Sequence, residues 1–323
     1  MDLLDQVFAP TKLSDGCPVG LIDSDTICFR AAAATDGKQY SIGKKSFKYK
    51  ADIIKYCVDN KLPIDEIQED FFPEPIHHAL AVVKGAIKGI EDALAKRYTK
   101  GFNMEFFHTH KKNFRDDIFP EYKANRIGKR KPHWLKECKN YVAKYYDEFT
   151  EEGLEADDLL GIRAYELYEQ GIESVIITND KDLKTIPGWN YDWVKGIWTR
   201  STVEEAMKFF YAQTIAGDDA DGIPGVIGLG VNNKGTGKAQ KIIQKASEEF
   251  YEENPEGDQR SHEKLLHETA FNCWLSGGPG QRGSYGCESL EEITNLYTRS
   301  ARCLFILHKR GEYWADPCDG TNF

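Results

Sequence analysis

The sequence predicts an α/β fold: a mostly parallel central sheet with helices on both faces, followed by a helical C-terminal part. Three observations carry this. Short apolar runs, "VGLIDSD" (Val19 to Asp25), "MEFFHTH" (Met104 to His110) and "SVIITND" (Ser174 to Asp180), read as buried strands. Helical patterns separate them, and such alternation implies parallel strands joined by crossovers. Carboxylates close two of the runs, at Asp23 and Asp180. In parallel sheets the ligand site lies beyond the strand C-termini.

The first strand leads into the small-residue helix "FRAAAA" (Phe29 to Ala34). Residues 35–75 mix a basic "KKSFKYK" with an acidic "PIDEIQEDFFPEP" and read as an excursion from the core. Leu80, Val83, Ile87, Ile90 and Leu94 recur at three- and four-residue intervals, which predicts a helix over 77–98. "PHWLKECKNYVAKYYDEF" (132–149) predicts another, and "EGLEADDLLGIRAYEL" (Glu152 to Leu167) begins a third. Beyond Gly217 the chain turns Gly-rich, then helical, then loop-like around "SGGPGQRGSYG". The stretch "NLYTRSARCLFILHKRGEYWADP" reads as a helix and an edge strand. The expected division is an α/β unit over 1–200 and a helical region over 201–323, with no internal repeat.

At 323 residues, with 41% hydrophobic and 12% aromatic content, the chain is globular rather than disordered. No apolar run approaches the roughly 18 residues of a membrane span. "MDLLDQVFAP" shows no secretory pattern. Eight cysteines without a close pair suggest reduced thiols in a cytoplasm. Cys273, Cys287, Cys303 and Cys318 are spaced too widely for a zinc ribbon.

The acids form three packets and a single: Asp23; Glu155, Asp157 and Asp158; Asp180 and Asp182 in "TNDKD"; Asp218 and Asp221 in "AGDDADGIPG". At about 100° per residue, Glu155 and Asp158 share one helix face while Asp157 projects elsewhere. Each packet alone is explained by capping or turn chemistry. Together, eight carboxylates at one sheet edge would repel unless cations sit between them. Hard ions with oxygen ligands, Mg²⁺ or Mn²⁺, suit such a set, and a pair of ions suits in-line displacement at phosphorus.

The net charge is −10, yet residues 111–144 hold eleven Lys or Arg against four acids. Within this stretch "FPEYKANRIGKRKP" interleaves Phe119 and Tyr122 with Lys123, Arg126, Lys129 and Arg130. That mixture suits phosphate contacts and stacking on a frayed or single-stranded end.

The blocks "LIDSDTICFRA", "FRDDIFPEYKANR", "GLEADDLLG", "VIITNDKDLKTIPG" and "GDDADGIPGVIGLG" span roughly residues 20–240. In this order they resemble the flap-endonuclease-like 5′-nucleases, in particular the 5′→3′ exonucleases of short-tailed phages. The resemblance implies a PIN/FEN-like α/β nuclease domain with a strand-guiding segment at 111–144, and a duplex-gripping, helix-hairpin-helix-like element at 223–240. It implies a metal-dependent 5′→3′ exonuclease or structure-specific 5′-nuclease, monomeric, in a bacterial host cytoplasm, serving replication and primer removal. Its partners would be duplex DNA with a 5′ end, flap or gap, and RNA in RNA–DNA hybrids. Asp23, Glu155, Asp157 and Asp158 would hold one ion; Asp180, Asp182, Asp218 and Asp221 a second. Lys123 and Arg126 would stabilise the scissile phosphate. Arg115, Lys129 and Arg130 would guide the 5′ strand, and Arg30 would contact a phosphate or pair with an acid. Gly225, Gly228 and Gly230 would bring backbone N–H groups to phosphates, beside a monovalent cation. One departure is plain: where the family has an Asp, this chain offers only His108 or His110. A PIN-type ribonuclease and a non-cleaving DNA-binding relative stand as alternatives.

Overall fold

The computed structural model describes residues 16–226, 228–229, 237–276, 287 and 289–318. Its first strand β1 (Val19–Asp23) is buried along its whole length and runs into α1 (Ser24–Ala34). The region 36–73 is a small module. In it β2 (Asp36–Ile42) pairs antiparallel with both β3 (Lys45–Phe47) and β4 (Gln68–Pro73), around α2 (Lys50–Asn60). The chain returns through α3 (Ile76–Arg97) to β5 (Asn103–Phe107). Then follow a short turn of helix α4 (Arg115–Ile118), α5 (Leu135–Tyr145), β6 (Glu148–Phe149) and α6 (Ala156–Glu169). The strands β7 (Ser174–Ile177), β8 (Gly188–Asp192) and β9 (Ile197–Ser201) complete the main sheet.

The sheet order is β6-β5-β1-β7-β8-β9, and every pair but the last is parallel. β1 is therefore central, which explains its unbroken apolar pattern: both its faces are covered. On one face α1, α3 and α5 deliver Ile27, Val83, Ile87, Ile90 and Val142 to a common core. On the other, α6 packs Leu160, Ile162 and Leu167 against Leu21 and Ile176.

The C-terminal helices are α7 (Val203–Ala216), α8 (Gly237–Glu253), α9 (Gln259–Ser276) and α10 (Leu290–Leu304). They enclose a separate core of Tyr211, Ile215, Ile243, Leu266, Trp274 and Tyr297. Phe119 and Tyr122, from the basic stretch, are buried in this core. They are not available as stacking platforms for bases, contrary to the expectation from composition.

The predicted helix over 132–149 ends early, at Tyr145, because Glu148 and Phe149 pair with Phe106 and Phe107. The expected edge strand after residue 304 is absent. Residues 305–318 form an irregular tail whose Ile306 and Leu307 bury against α6. Gly161 permits that approach: a β-carbon there would lie 2.5 Å from the Leu307 carbonyl oxygen. Among the described residues, no helix is long and apolar enough to cross a membrane.

Candidate active site

A small open cavity of about 30 Å³ is lined by residues that include Arg115, Tyr122, Glu155, Asp157, Asp182, Asp218 and Asp221. Asp23, the last residue of β1, caps α1: its carboxylate accepts from the Thr26 N–H at 3.3 Å and the Thr178 hydroxyl at 2.8 Å. Burial, then the charge of Asp25, pushes the Asp23 carboxyl up to about 7. Asp157 lies in the first turn of α6, and burial plus the charges of Asp23 and Asp180 push it well above its ordinary value. Asp182 follows β7 and is pushed up to about 6 by burial and by Asp180. The Gln213 amide, on α7, donates to it at 2.6 Å. Asp218 and Asp221 occupy a turn in which Asp218 and Ile223 exchange backbone hydrogen bonds, and the Ala220 N–H donates to the Asp218 carboxylate at 2.7 Å.

Three cations, Lys123, Arg126 and Lys181, lean on these carboxylates. Lys123 donates to Glu155 at 2.5 Å and lies 3.5 Å from Asp221. Arg126 pairs with Asp221 from a more exposed position. Burial alone would raise the Glu155 carboxyl, but Lys123 and Arg115 outweigh it and hold the group below its usual range. The Tyr122 hydroxyl bridges Glu155 at 2.9 Å and Asp221 at 3.2 Å. Lys181 reaches Asp182 at 3.0 Å and Asp218 at 3.7 Å. Tyr122, Lys181 and Gln213 as site residues have no signature in the sequence, since each is identified only by where its head group lands.

The packet at the start of α6 divides in a way the helical wheel did not foresee. Asp158 is fully buried and is not among the residues that line the cavity. Its two oxygens accept from Arg115 Nη1 at 2.6 Å and Nη2 at 2.8 Å, and also from the backbone N–H of Glu155. With Glu155 it forms a capping box. Asp158 therefore drops out of the candidate ligand set and of the catalytic set. Arg115, 2% exposed at the cavity wall, also donates to the Cys303 and Phe305 carbonyls, so its guanidinium is committed within the protein and not laid out along a surface path for a strand.

Other expectations are redrawn. Arg130 is bound to Asp36 of the small module, with its guanidinium carbon 3.6 Å from the Phe71 ring centroid. Arg30 is exposed on α1, 5.7 Å from the Trp193 ring. Lys129 is exposed. Gly225 is buried against α7, where a β-carbon would meet Ala216 at 2.2 Å. Its smallness serves packing, not a phosphate. A β-carbon at Gly228, where φ is +82°, would meet nothing within 4 Å, and its carbonyl accepts from Lys238 at 3.2 Å; Gly230 and the following residues to 236 lie outside the described residues. His108 is buried, with Nδ1 3.0 Å from Asp25 and Nε2 3.6 Å from Glu148. His110 accepts from the Lys112 N–H at 3.3 Å. At the end of β5, where an acid was expected, the nearby carboxylate is thus Asp25, two residues after Asp23.

Among the described residues, no three of these carboxylates offer oxygens all within 4.8 Å of one another. Glu155, Asp157, Asp182, Asp218 and Asp221 line the cavity without closing on a point. Carboxylates pushed upward by burial and by one another, as Asp23, Asp157 and Asp182 are, fit a hard divalent ion, which would favour their charged forms.

The fold and the cavity place the chain among α/β proteins with an acidic site at strand ends. The family described as "5'-3' exonuclease, N-terminal resolvase-like domain" matches residues 74–210. The "Exonuclease" of Escherichia phage T7 is 30% identical over 224 residues, 65% of this chain and 73% of that protein. The "5'-3' exonuclease" of Buchnera aphidicola (Schizaphis graminum) is 31% identical over 163 residues, 46% of this chain and 56% of that protein. The chain thus spans a little over half of one relative and about three quarters of the other. The solved zinc-bound T5 5′-exonuclease superposes with a TM-score of 0.46 at 16% identity, covering 89% of this chain and all of that one. The chain belongs to the 5′-3′ exonuclease family.

Proposed function

We propose that the protein is a divalent-metal-dependent 5′→3′ exonuclease that hydrolyses phosphodiester bonds at 5′ ends of DNA. Family membership supports the reaction class. The observation that carries the site is the meeting of Asp23, Asp157 and Asp182, all with raised carboxyl pKa values, beside Lys123 and Arg126. Asp23, Glu155 and Asp157 would hold one ion, and Asp180, Asp182, Asp218 and Asp221 a second, in part through water. Mg²⁺ or Mn²⁺ suits these oxygen donors. Bound there, the ions supply Lewis-acid stabilisation of phosphoryl charge.

The chain's own residues do the rest. Lys123 and Arg126, held in place by Glu155 and Asp221, offer cationic heads to phosphate oxygens. Such preorganised donors are each worth about 10²–10³ in rate. Tyr122 holds Glu155 and Asp221 at a fixed spacing. Lys129, which is exposed, and Gly228, which is half-buried, are positions suited to the DNA backbone.

The test uses a 5′-labelled and a 3′-labelled duplex with and without Mg²⁺. Cleavage should start at the 5′ end, require the ion, and fall at least about 100-fold in Asp157→Asn while DNA binding persists. Full cleavage by Asp157→Asn would remove this reading. A hybrid RNA–DNA duplex in the same assay tests the wider substrate range.

A further inference from the structure

Outside the carboxylate cavity, α9 and the tail bring together donors of a different kind. His267 Nε2 lies 3.1 Å from Asp316 Oδ1. These two atoms and Cys318 Sγ all fall within 4.8 Å of one another. Cys318 Sγ also lies 4.0 Å from Glu268 Oε1, 50 residues away in sequence. Four side chains with metal-ligating heads thus converge from a helix and an irregular segment.

We propose that His267, Asp316 and Cys318, with Glu268 or water in the fourth position, form a structural binding site for a zinc-class divalent ion. Imidazole, thiolate and carboxylate together select a borderline-soft, four-coordinate ion over magnesium. Ligand bonds of about 2.0–2.3 Å place tetrahedral donors roughly 3.3–3.7 Å apart, so the trio needs only small side-chain shifts to close. The tail is already folded for it: the Cys318 N–H donates to Asp316 Oδ1 at 2.7 Å, which holds the two tail donors on one side.

The competing arrangement is an ordinary hydrogen bond from His267 Nε2–H to Asp316, with Cys318 a bystander. One feature favours the ion. The Tyr297 hydroxyl sits 3.1 Å from His267 Nδ1, so it can accept a hydrogen bond from Nδ1–H and leave the Nε2 lone pair for a metal. The ion would fasten the irregular tail to α9 by closing a loop of about 50 residues.

The experiment uses the full chain, stripped with a chelator, kept reduced and titrated with Co²⁺. One equivalent should produce a thiolate-to-cobalt charge-transfer band with the visible bands of four-coordinate cobalt. Zn²⁺ should displace it and raise the thermal midpoint. Cys318→Ser should lose the charge-transfer band, and Asp316→Asn should weaken cobalt binding; both sit at or near the surface, so folding is expected to survive and is checked by circular dichroism. Asp157→Asn should keep the band, separating this site from the nuclease cavity. No charge-transfer band at stoichiometric Co²⁺, or a band that persists in Cys318→Ser, overturns the proposal.

Discussion

The inner and outer sides of the α6 N-terminus solve one electrostatic problem in opposite ways. On the inner side Asp158 is sealed from water and matched by a bidentate arginine, itself bound to two carbonyls. On the outer side Asp157, its sequence neighbour, meets Asp23 and Asp180 and is held toward its neutral form. The inner charge is neutralised by the chain; the outer charge awaits something from solution. Buried charge is a structural feature where the chain supplies the countercharge, and a candidate functional one where it does not.

The comparison can be broken most sharply from the inside. Asp158→Asn leaves Arg115 buried and unmatched, and should cost about 3–5 kcal/mol in urea denaturation. The double variant Arg115→Met with Asp158→Leu should recover part of this, the remainder reflecting the abandoned Cys303 and Phe305 carbonyls. A double variant as unstable as the single would show that packing, not charge, decides the inner side.

The outer side should respond to pH. The folded-state pKa of Asp23 is raised from 3.8 to about 7, so its contribution is complete below the unfolded value and is lost as pH rises through about 7. Metal-free protein should therefore lose up to about 4 kcal/mol from Asp23 between roughly pH 4 and pH 7, with Asp182 acting in the same direction. Saturating Mg²⁺ should flatten the profile. Denaturation at pH 5 and pH 7.5, with chelator or with Mg²⁺, reads this directly. Stability that rises with pH in chelator would contradict the assignment.

The smallest expected effect is at Gly161, where the tail presses on α6 from the inner side. Gly161→Ala should cost about 1–3 kcal/mol through collision with the Leu307 carbonyl, measured by thermal unfolding. It should leave cleavage in Mg²⁺ nearly intact at a temperature where both proteins are folded.

The central strands β1 and β7, and helix α3, were legible because burial on two faces or one stripe leaves an unbroken or periodic apolar pattern. The β8–β9 hairpin was missed: it alternates Trp and Tyr with charged and polar residues at a sheet edge. The module at 36–73 was unreadable for the same reason, its three strands being short and half-exposed. Acidic packets were visible as clusters of sequence. Which member faced the cavity was not, because Asp158 finds its partner 43 residues away. Phe119 and Tyr122 were misassigned since an aromatic among lysines looks the same whether it faces solvent or a core.

The Arg115–Asp158 pair also imposes an order on biosynthesis. Its last partners are the carbonyls of Cys303 and Phe305 and the amide of Leu307. A nascent chain can emerge with every cavity carboxylate synthesised and still lack these groups. The start of α6, which carries Glu155 and Asp157, would then be fully braced only once translation has passed residue 307.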